Sequence, residues 1–136
     1  MCKFALLAIM IALSVHAASA REIRRDAMPE AFWGTWALGT DPCKENDTSA
    51  IVLSAKAYAG PAGNCAIAYV TEIPGRAGPI YSARLQCSRS DAQPRKKAIA
   101  NLIIQPDGKE QISVGSTFDS LMARHRCSGG GQGAEK

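Results

Sequence analysis

The residue types that most often carry chemistry are sparse in this chain of 136 residues. After the first twenty residues, a single histidine remains, His125. A metal site built on it is not expected, because zinc sites draw on several nitrogen and sulfur ligands. A Ser-His-Asp triad is recognised by its geometry, and no serine here lies in the sequence pattern of a nucleophile elbow. We therefore interpret His125 as a structural or surface residue.

The acidic residues do not form a catalytic pattern either. Glycoside hydrolysis needs two carboxylates that converge in a cleft. The acids of this chain lie in turns and polar loops, where short acidic side chains stabilise the turn backbone. They include Asp41, Glu45, Asp47, Asp91 and Asp107. The sequence therefore predicts no catalytic residue, no metal and no cofactor, and a protein that is not an enzyme.

Cysteine is the remaining reactive residue type. Beyond residue 20 the chain contains Cys43, Cys65, Cys87 and Cys127. An even number of cysteines in an exported chain predicts disulfides. The gaps of 22, 22 and 40 residues lack the close C-x-x-C pairs of a zinc site. We predict two disulfide bonds.

Residues 1–20 have the pattern of a secretory signal peptide. A lysine at position 3 precedes an apolar run over residues 4–15, and Ala18-Ser19-Ala20 is a small-x-small cleavage pattern. An apolar core of about a dozen residues is shorter than a membrane-spanning helix requires. We therefore predict cleavage after Ala20 rather than a retained anchor. The mature protein is expected to be periplasmic or secreted, with no membrane association.

The remaining 116 residues suffice for one domain. Without Lys3, the chain has 15 Lys and Arg against 12 Asp and Glu, a net charge of +3. That charge is too mild to indicate a nucleic-acid partner. The short basic clusters at residues 21–25 and 95–97 are typical of solvated segment ends.

From residue 31 onward, short β-rich runs alternate with turn signals. Residues 56–58 and 116–120 fit either a strand or a loop. The predicted strands cover residues 31–38, 49–54, 65–73, 80–87, 98–104, 110–114 and 121–127. This pattern predicts an all-β fold, a small antiparallel barrel of seven or eight strands stapled by disulfides. The expected organisation is a signal peptide (1–20), a charged N-terminal arm (21–30), a β-barrel domain (31–127) and a flexible Gly-rich tail (128–136).

The strand pattern favours one cysteine pairing. Cys65 opens a predicted strand and Cys87 closes the next, so an antiparallel hairpin sets them opposite each other. Cys43 follows the first strand and Cys127 ends the last, and these strands are neighbours if a barrel closes. The favoured bridges are Cys65–Cys87 and Cys43–Cys127. On the chain-entropy model they contribute about 3.4 and 4.6 kcal/mol, respectively.

The first predicted strand carries both tryptophans of the chain. Side chains alternate along a strand, so Phe32, Gly34, Trp36 and Leu38 are expected on one face and Trp33 on the other. Trp33 is then the residue available for recognition of a partner.

Gly34-Thr35-Trp36 resembles the G-x-W signature of calycins, the barrel class of lipocalins and avidins. The resemblance implies a calycin-like barrel in which the tryptophan closes one end. It also implies that an arginine near the end of the last strand packs on the tryptophan ring. Arg124 and Arg126 are placed for that role.

The size of the chain and its G-x-W start also resemble the small secreted inhibitors of serralysin-type metalloproteases. That resemblance implies the rival pairing Cys43–Cys65 with Cys87–Cys127. In that family an N-terminal arm enters the protease cleft, but the charged arm at residues 21–30 does not match the family pattern.

The layout as a whole resembles a group of small exported proteobacterial proteins, and this resemblance implies no activity. The residues that carry it are Pro29, Phe32, Gly34, Trp36, Cys43 and Arg126-Cys127. A barrel this small fills its interior with its own side chains, so a small-molecule ligand is not expected. We expect a non-enzymatic binding or interaction module with a protein partner in the cell envelope. A protease inhibitor is the alternative, and a small hydrolase is a remote one.

Overall fold

The computed structural model describes residues 21–40, 42–61, 63–88 and 97–128, with side chains throughout except at residues 97 and 98. The predicted signal peptide and residues 129–136 of the predicted tail lie outside the described residues. The fold is all-β, as the sequence predicts.

The described chain forms nine strands and two single-turn 3₁₀ helices. The 3₁₀ helices are Glu30–Phe32 and Phe118–Ser120. The strands are β1 (Ile23–Arg25), β2 (Gly34–Leu38), β3 (Ile51–Leu53), β4 (Ala57–Gly60), β5 (Gly63–Ile73), β6 (Ile80–Ser88), β7 (Lys97–Pro106), β8 (Gln111–Gly115) and β9 (Met122–Arg126). Of the two ambiguous segments, 56–58 contributes to β4, and 116–120 contains the second 3₁₀ helix.

Strands β2 to β9 form a closed antiparallel barrel of eight strands. Each strand pairs with its neighbour in sequence, and β2 pairs with β9 to complete the ring. This closure follows from the short turns between strands, which favour pairing of consecutive strands. Closure leaves none of these eight strands without two neighbours, so the ring has no free edge.

The barrel interior is filled by side chains. Trp36, Ile51, Val70 and Ile104 have no measurable exposure. The remaining buried apolar residues include Leu53, Tyr58, Cys65, Ile67, Ala83, Leu85, Cys87, Leu102, Ile112 and Val114. These positions come from β2 to β8, as expected when alternate residues of each strand point inward, and the buried residue of β9 is Arg124.

Strand β5 departs from a simple alternation. Alternation along the strand predicts one shared face for Cys65, Ile67, Tyr69, Thr71 and Ile73, but the register against β6 shifts between Ile67 and Tyr69. The irregularity moves the inward position onto Val70, which is fully buried, while Tyr69 and Thr71 are partly exposed. A bulge inserts one extra residue and therefore reverses the face of every residue that follows it.

The charged N-terminal arm contains a strand that the sequence did not predict. Residues 23–25 form β1, which pairs antiparallel with residues 70–72 of β5. Strand β5 can pair with both β1 and β4 on the same edge, because β4 occupies only residues 63–66 of β5. An ion pair between Arg25 and Glu72, 2.7 Å apart, joins the two strands.

The first barrel strand is also shorter than predicted. It begins at Gly34, and Phe32 belongs to the preceding 3₁₀ helix. Pro29 precedes this helix, where its fixed backbone angle and missing N–H are tolerated. Phe32 therefore reaches the core from across the barrel end rather than from its wall.

The structure contains the favoured cysteine pairing. Cys65 lies directly opposite Cys87 in the β5–β6 register, and their sulfurs are bonded. Cys43 is bonded to Cys127, which follows β9. The pairing implied by the metalloprotease-inhibitor resemblance is absent.

Candidate functional site

The pairing of β2 with β9 brings two arginines into the barrel. Trp36 lies opposite Arg126, and Leu38 lies opposite Arg124, so both arginines share the inward face with Trp36. The guanidinium carbon of Arg126 lies 4.3 Å from the centroid of the Trp36 ring. Arg126 therefore takes the position that the calycin resemblance implies.

The backbone that crosses the barrel end fixes Arg126 further. Its Nη1 donates to the Trp33 carbonyl at 2.7 Å, and its Nη2 donates to the Ala31 carbonyl at 2.6 Å. Gly34 makes room for this group, since a Cβ there would lie 3.3 Å from Arg126 Nη1. Gly34 also has a φ of +124°, which L side chains rarely adopt. Both residues of the G-x-W motif thus help to position Arg126. Gly34 leaves space for its guanidinium, and the ring of Trp36 packs against it.

Arg124 has a different role from the one considered for it. Its Nη1 donates to the carbonyl of Ser49 at 2.7 Å and to that of Trp36 at 3.4 Å. Burial lowers the pKa of Arg124, while the charges of Tyr58 and Asp47 act in the opposite direction. Its buried Nε has no hydrogen-bond partner among the described atoms. Arg124 therefore donates to backbone carbonyls inside the β2–β9 seam and does not pack on the tryptophan ring.

The N-terminal segment closes the end of the barrel at which β2, β6 and β8 begin, here called the arm end. Met28 and Phe32 are almost fully buried there. The Met28 N–H donates to the Ala55 carbonyl in the β3–β4 turn at 2.8 Å. The ring of Phe32 meets that of Tyr81 edge to face, with the centroids 4.8 Å apart. Trp36 thus shares the closing role with Met28 of the arm and Phe32 of the 3₁₀ helix.

Trp33 is partly exposed, at 38 %, and lies just before β2. Its Nε1 donates to the Met28 carbonyl at 2.9 Å, so the ring also holds the turn that carries Met28. Trp36 makes an equivalent bond from its Nε1 to the Phe32 carbonyl. Trp33 therefore has an exposed face and one structural hydrogen bond.

A cleft of about 560 Å³ opens at the arm end, here called the end cleft. It lies between the 3₁₀ helix at Glu30–Phe32 and the β7–β8 turn. Its apolar lining comprises Phe32, Trp36, Pro79, Tyr81, Pro106 and Ile112, and its charged lining comprises Lys109, Glu110 and Arg126. An apolar floor with a few charged groups at its edge is the usual composition of a binding site.

Two smaller clefts adjoin the end cleft around the β5–β6 turn at residues 74–79. One, of about 390 Å³, lies between this turn and β1 and is lined by Arg21 and Ile23. The other, of about 340 Å³, lies between this turn and the β7–β8 turn and is lined by Arg76. Pro79 lines all three clefts. The arm end therefore offers a continuous grooved surface rather than an isolated pocket.

The charges on this surface are unevenly paired. Glu72 pairs with Arg25, and the Glu110 carboxylate lies 3.8 Å from Nε of Arg126. Burial, followed by the negative charge of Glu72, raises the pKa of the Tyr81 hydroxyl.

Three cations of the surface remain without a carboxylate partner. Within the described ranges, Arg21, Arg76 and Lys109 form no ion pair. Among the residues that line the three clefts, the cations Arg21, Arg76, Lys109 and Arg126 outnumber the acids Glu72 and Glu110, so the lining carries an excess of positive charge.

His125 lies on the outer face of the seam, away from any arrangement for hydrolysis. Its Nδ1 bonds the Gly39 carbonyl, and its Nε2 lies 3.7 Å from Cys43 Sγ. Neither contact is with a serine hydroxyl or a carboxylate. Among the described residues, no group of three His, Cys, Asp or Glu side chains could hold a metal ion.

The polar contacts of Asp47 are those of a turn former. Asp47 accepts hydrogen bonds from the Ser49 backbone N–H at 2.9 Å and from its hydroxyl at 2.6 Å. These bonds lower the pKa of Asp47. The sequence thus predicted the role of Asp47. The end cleft was missed because its lining comes from parts of the chain that are far apart in sequence, at residues 31–36, 79–81, 106–112 and 126.

The comparisons with known proteins return nothing that resembles this chain. No protein-family model matches it, and no curated protein or solved structure matches it. In the part of the chain that the structure describes, the helical segments lack the length and apolar character of a bilayer-spanning helix.

Proposed function

We propose that this barrel is a non-enzymatic interaction module that binds a partner protein through the end cleft. The observation that carries the proposal is an apolar-floored cleft of about 560 Å³ on a barrel whose interior is filled. A ligand along the barrel axis would have to displace Trp36 and Ile104, which are fully buried. The free space therefore lies at the rim, where a partner can reach it.

The shape of the arm end favours a polypeptide over a small molecule. The end cleft continues into two neighbouring clefts across the β5–β6 turn, so the surface extends beyond one ligand-sized pocket. Interfaces gain most of their free energy from a few large side chains that enter such pockets, surrounded by polar contacts. We infer that a large apolar side chain of the partner packs between Tyr81 and Ile112.

The charge of the arm end indicates which kind of partner segment it can bind. Of the unpaired cations, Lys109 lines the end cleft, whereas Arg21 and Arg76 line the two neighbouring clefts. Both lining acids are in ion pairs. Complementary charge raises the association rate and excludes partners of the wrong sign. The partner segment that fits carries Asp or Glu residues beside its apolar anchor.

The two disulfides indicate an oxidising compartment outside the cytoplasm. The signal-peptide pattern of residues 1–20 supports export to the periplasm or the medium, and a partner in the cell envelope is therefore proposed. The arm, which the protease-inhibitor alternative requires to be free, is paired along β5 at residues 23–25. Because the arm is paired, we rank protease inhibition below the interaction module, as the second candidate. The contacts of His125 do not support a hydrolase function.

A peptide-display selection on the oxidised protein tests the proposal. We expect enriched peptides to combine an aromatic or large aliphatic residue with flanking acids. Tyr81→Ser and Lys109→Glu should each weaken their binding at least about tenfold, as expected for loss of an anchor contact or reversal of a rim charge. Ile99→Ser is the matched control, since Ile99 is 61 % exposed on β7 and does not line the cleft.

Two results would count against the interaction-module proposal. Peptides that bind Tyr81→Ser as well as the wild type would place recognition elsewhere. Inhibition of a secreted protease at micromolar concentration, with no loss in Tyr81→Ser, would favour the inhibitor function instead.

A further inference from the structure

The two disulfides differ sharply in their surroundings. Cys65 and Cys87 are both only 5 % exposed and belong to the hydrophobic core. In the other bridge, Cys127 is 5 % exposed, but Cys43 is exposed on the β2–β3 loop. A cleft of about 460 Å³ lies on that bridge and is lined by both of its cysteines. An attacking thiolate can therefore reach Cys43, whereas the core bridge is covered.

A histidine lies beside the accessible sulfur. Nε2 of His125 is 3.7 Å from Cys43 Sγ, and Nδ1 bonds the Gly39 carbonyl. A carbonyl oxygen can only accept a hydrogen bond, so Nδ1 carries the hydrogen and Nε2 presents its lone pair to the sulfur. The backbone of Gly39 is itself held by a 2.8 Å bond from its N–H to the Ala123 carbonyl on β9. The imidazole is thus fixed in the tautomer that can accept a proton next to Cys43.

We propose that the Cys43–Cys127 bridge is a thiol–disulfide exchange site that reacts at Cys43, with His125 as its proton acceptor and donor. The co-reactant is a dithiol, either a small molecule or a pair of reduced cysteines in an exported polypeptide. This site lies on the outer face of the β2–β9 seam, and its chemistry is independent of the proposed binding function of the end cleft.

The reaction proceeds in two balanced steps. A substrate thiol gives its proton to His125 Nε2 and bonds to Cys43 Sγ, and the Cys43–Cys127 bond breaks. Cys127 leaves with the electron pair and takes a proton from solvent, and His125 releases its proton to solvent. The second substrate thiol gives its proton to His125 Nε2 and attacks the substrate sulfur, releasing Cys43 with the electron pair. His125 then returns the proton to Cys43, so the dithiol is oxidised and the bridge is reduced.

The core bridge is an internal control for the experiment. Oxidised protein is treated with dithiothreitol, quenched with an alkylating reagent at successive times, and mapped by peptide mass spectrometry. We expect Cys43–Cys127 to open at least about tenfold faster than Cys65–Cys87, because thiol–disulfide exchange depends on access to the attacked sulfur. Equal rates, or earlier opening of the core bridge, would overturn the proposal.

The site of attack is tested with reduced glutathione. The expected mixed disulfide lies on Cys43, the exposed partner of the bridge. An adduct that lies mainly on Cys127 would contradict the assignment.

The role of His125 is tested with His125→Asn, which retains a donor for the Gly39 carbonyl and removes Nε2. Opening of Cys43–Cys127 should slow about fivefold, while Cys65–Cys87 opens at its wild-type rate. If His125 only holds the loop in place, its replacement should loosen the loop, expose the bridge and make it open faster. An unchanged or faster rate in His125→Asn would therefore exclude the proton-transfer role.

Discussion

The guanidinium of Arg126 lies against the indole of Trp36, with its carbon 4.3 Å from the ring centroid, and thereby joins the last strand of the barrel to the first. The same guanidinium donates to the carbonyls of Trp33 and Ala31, which belong to the segment that closes the arm end. One side chain thus links the seam of the barrel, its end closure and the lining of the end cleft.

Replacement of Arg126 should destabilise the protein by more than a surface arginine does. Arg126→Ala removes a cation–π contact and two hydrogen bonds to backbone carbonyls, for an expected loss of about 3 kcal/mol. Arg126→Lys retains the charge but not the planar fork, so we expect a loss of about 2 kcal/mol. Urea unfolding measures the stability of both variants. The control is Arg84→Ala, which removes an exposed hydrogen bond from Arg84 to Asn101. Equal losses in Arg126→Ala and Arg84→Ala would contradict the structural role.

Gly34 is expected to be intolerant of a side chain for two reasons that can be separated. Gly34→Ala introduces a Cβ at φ +124° and places it 3.3 Å from Arg126 Nη1. Gly63 has φ +101° with nothing within 4 Å of such a Cβ, so Gly63→Ala reports the backbone strain alone. We expect about 1–2 kcal/mol for Gly63→Ala and a larger loss for Gly34→Ala. Thermal unfolding measures the difference. Equal losses of stability in the two variants would mean that a side chain at position 34 does not disturb Arg126.

Trp33 and Trp36 should differ strongly in their contribution to stability. Trp33→Ala removes one hydrogen bond and a partly exposed ring, so a loss below about 2 kcal/mol is expected. Trp36→Ala removes a fully buried ring and should cost about 3–5 kcal/mol. Peptides selected on the wild type should bind Trp33→Ala more weakly. A loss for Trp33→Ala that approaches that of Trp36→Ala would assign Trp33 to the core.

Asp47, in the β2–β3 loop, should contribute to the stability of the protein in a way that is lost in acid. The hydrogen bonds from Ser49 lower the pKa of Asp47 below the reference value of 3.8 that applies in the unfolded chain. A carboxylate with a depressed pKa contributes stability that is present above that value and is lost as the pH falls. Asp47→Asn should therefore reduce the dependence of stability on pH below about 4, while Asp107→Asn serves as the control. Identical acid profiles for Asp47→Asn and the wild type would refute this contribution.

The ring of strands was predictable because its signals are local. Alternation of apolar residues in β6 and turn residues such as Pro106 and Asp107 indicate strands and connections directly. The position of Cys65 and Cys87 at opposite ends of consecutive strands predicted their bridge through the geometry of a hairpin. These inferences need no information from distant parts of the chain.

The features that the sequence did not reveal depend on distant contacts. Strand β1 is charged and short, and its pairing exists because β5 extends beyond the reach of β4. The bulge between Ile67 and Tyr69 has no turn residue to mark it. The choice of Arg126 over Arg124 as the partner of Trp36 follows from the strand register, which fixes which arginine lies opposite the ring.

The end cleft was hidden for the same reason. Phe32, Tyr81 and Ile112 lie in three separate segments, and their sequence neighbourhoods resemble ordinary core positions. Their shared exposure to one groove arises only when the barrel closes and the arm segment crosses its end.

Nuclear magnetic resonance mapping of the complex tests the central claim most directly. The isotope-labelled, oxidised protein is titrated with a peptide selected on the wild type, and backbone amide shifts are followed. Binding at the end cleft predicts the largest shifts at Phe32, Tyr81, Lys109 and Ile112, with Ile99 and Phe118 unmoved. Shifts concentrated around Phe118 and Met122, at the opposite end of the barrel, would contradict the assignment of the end cleft as the binding site.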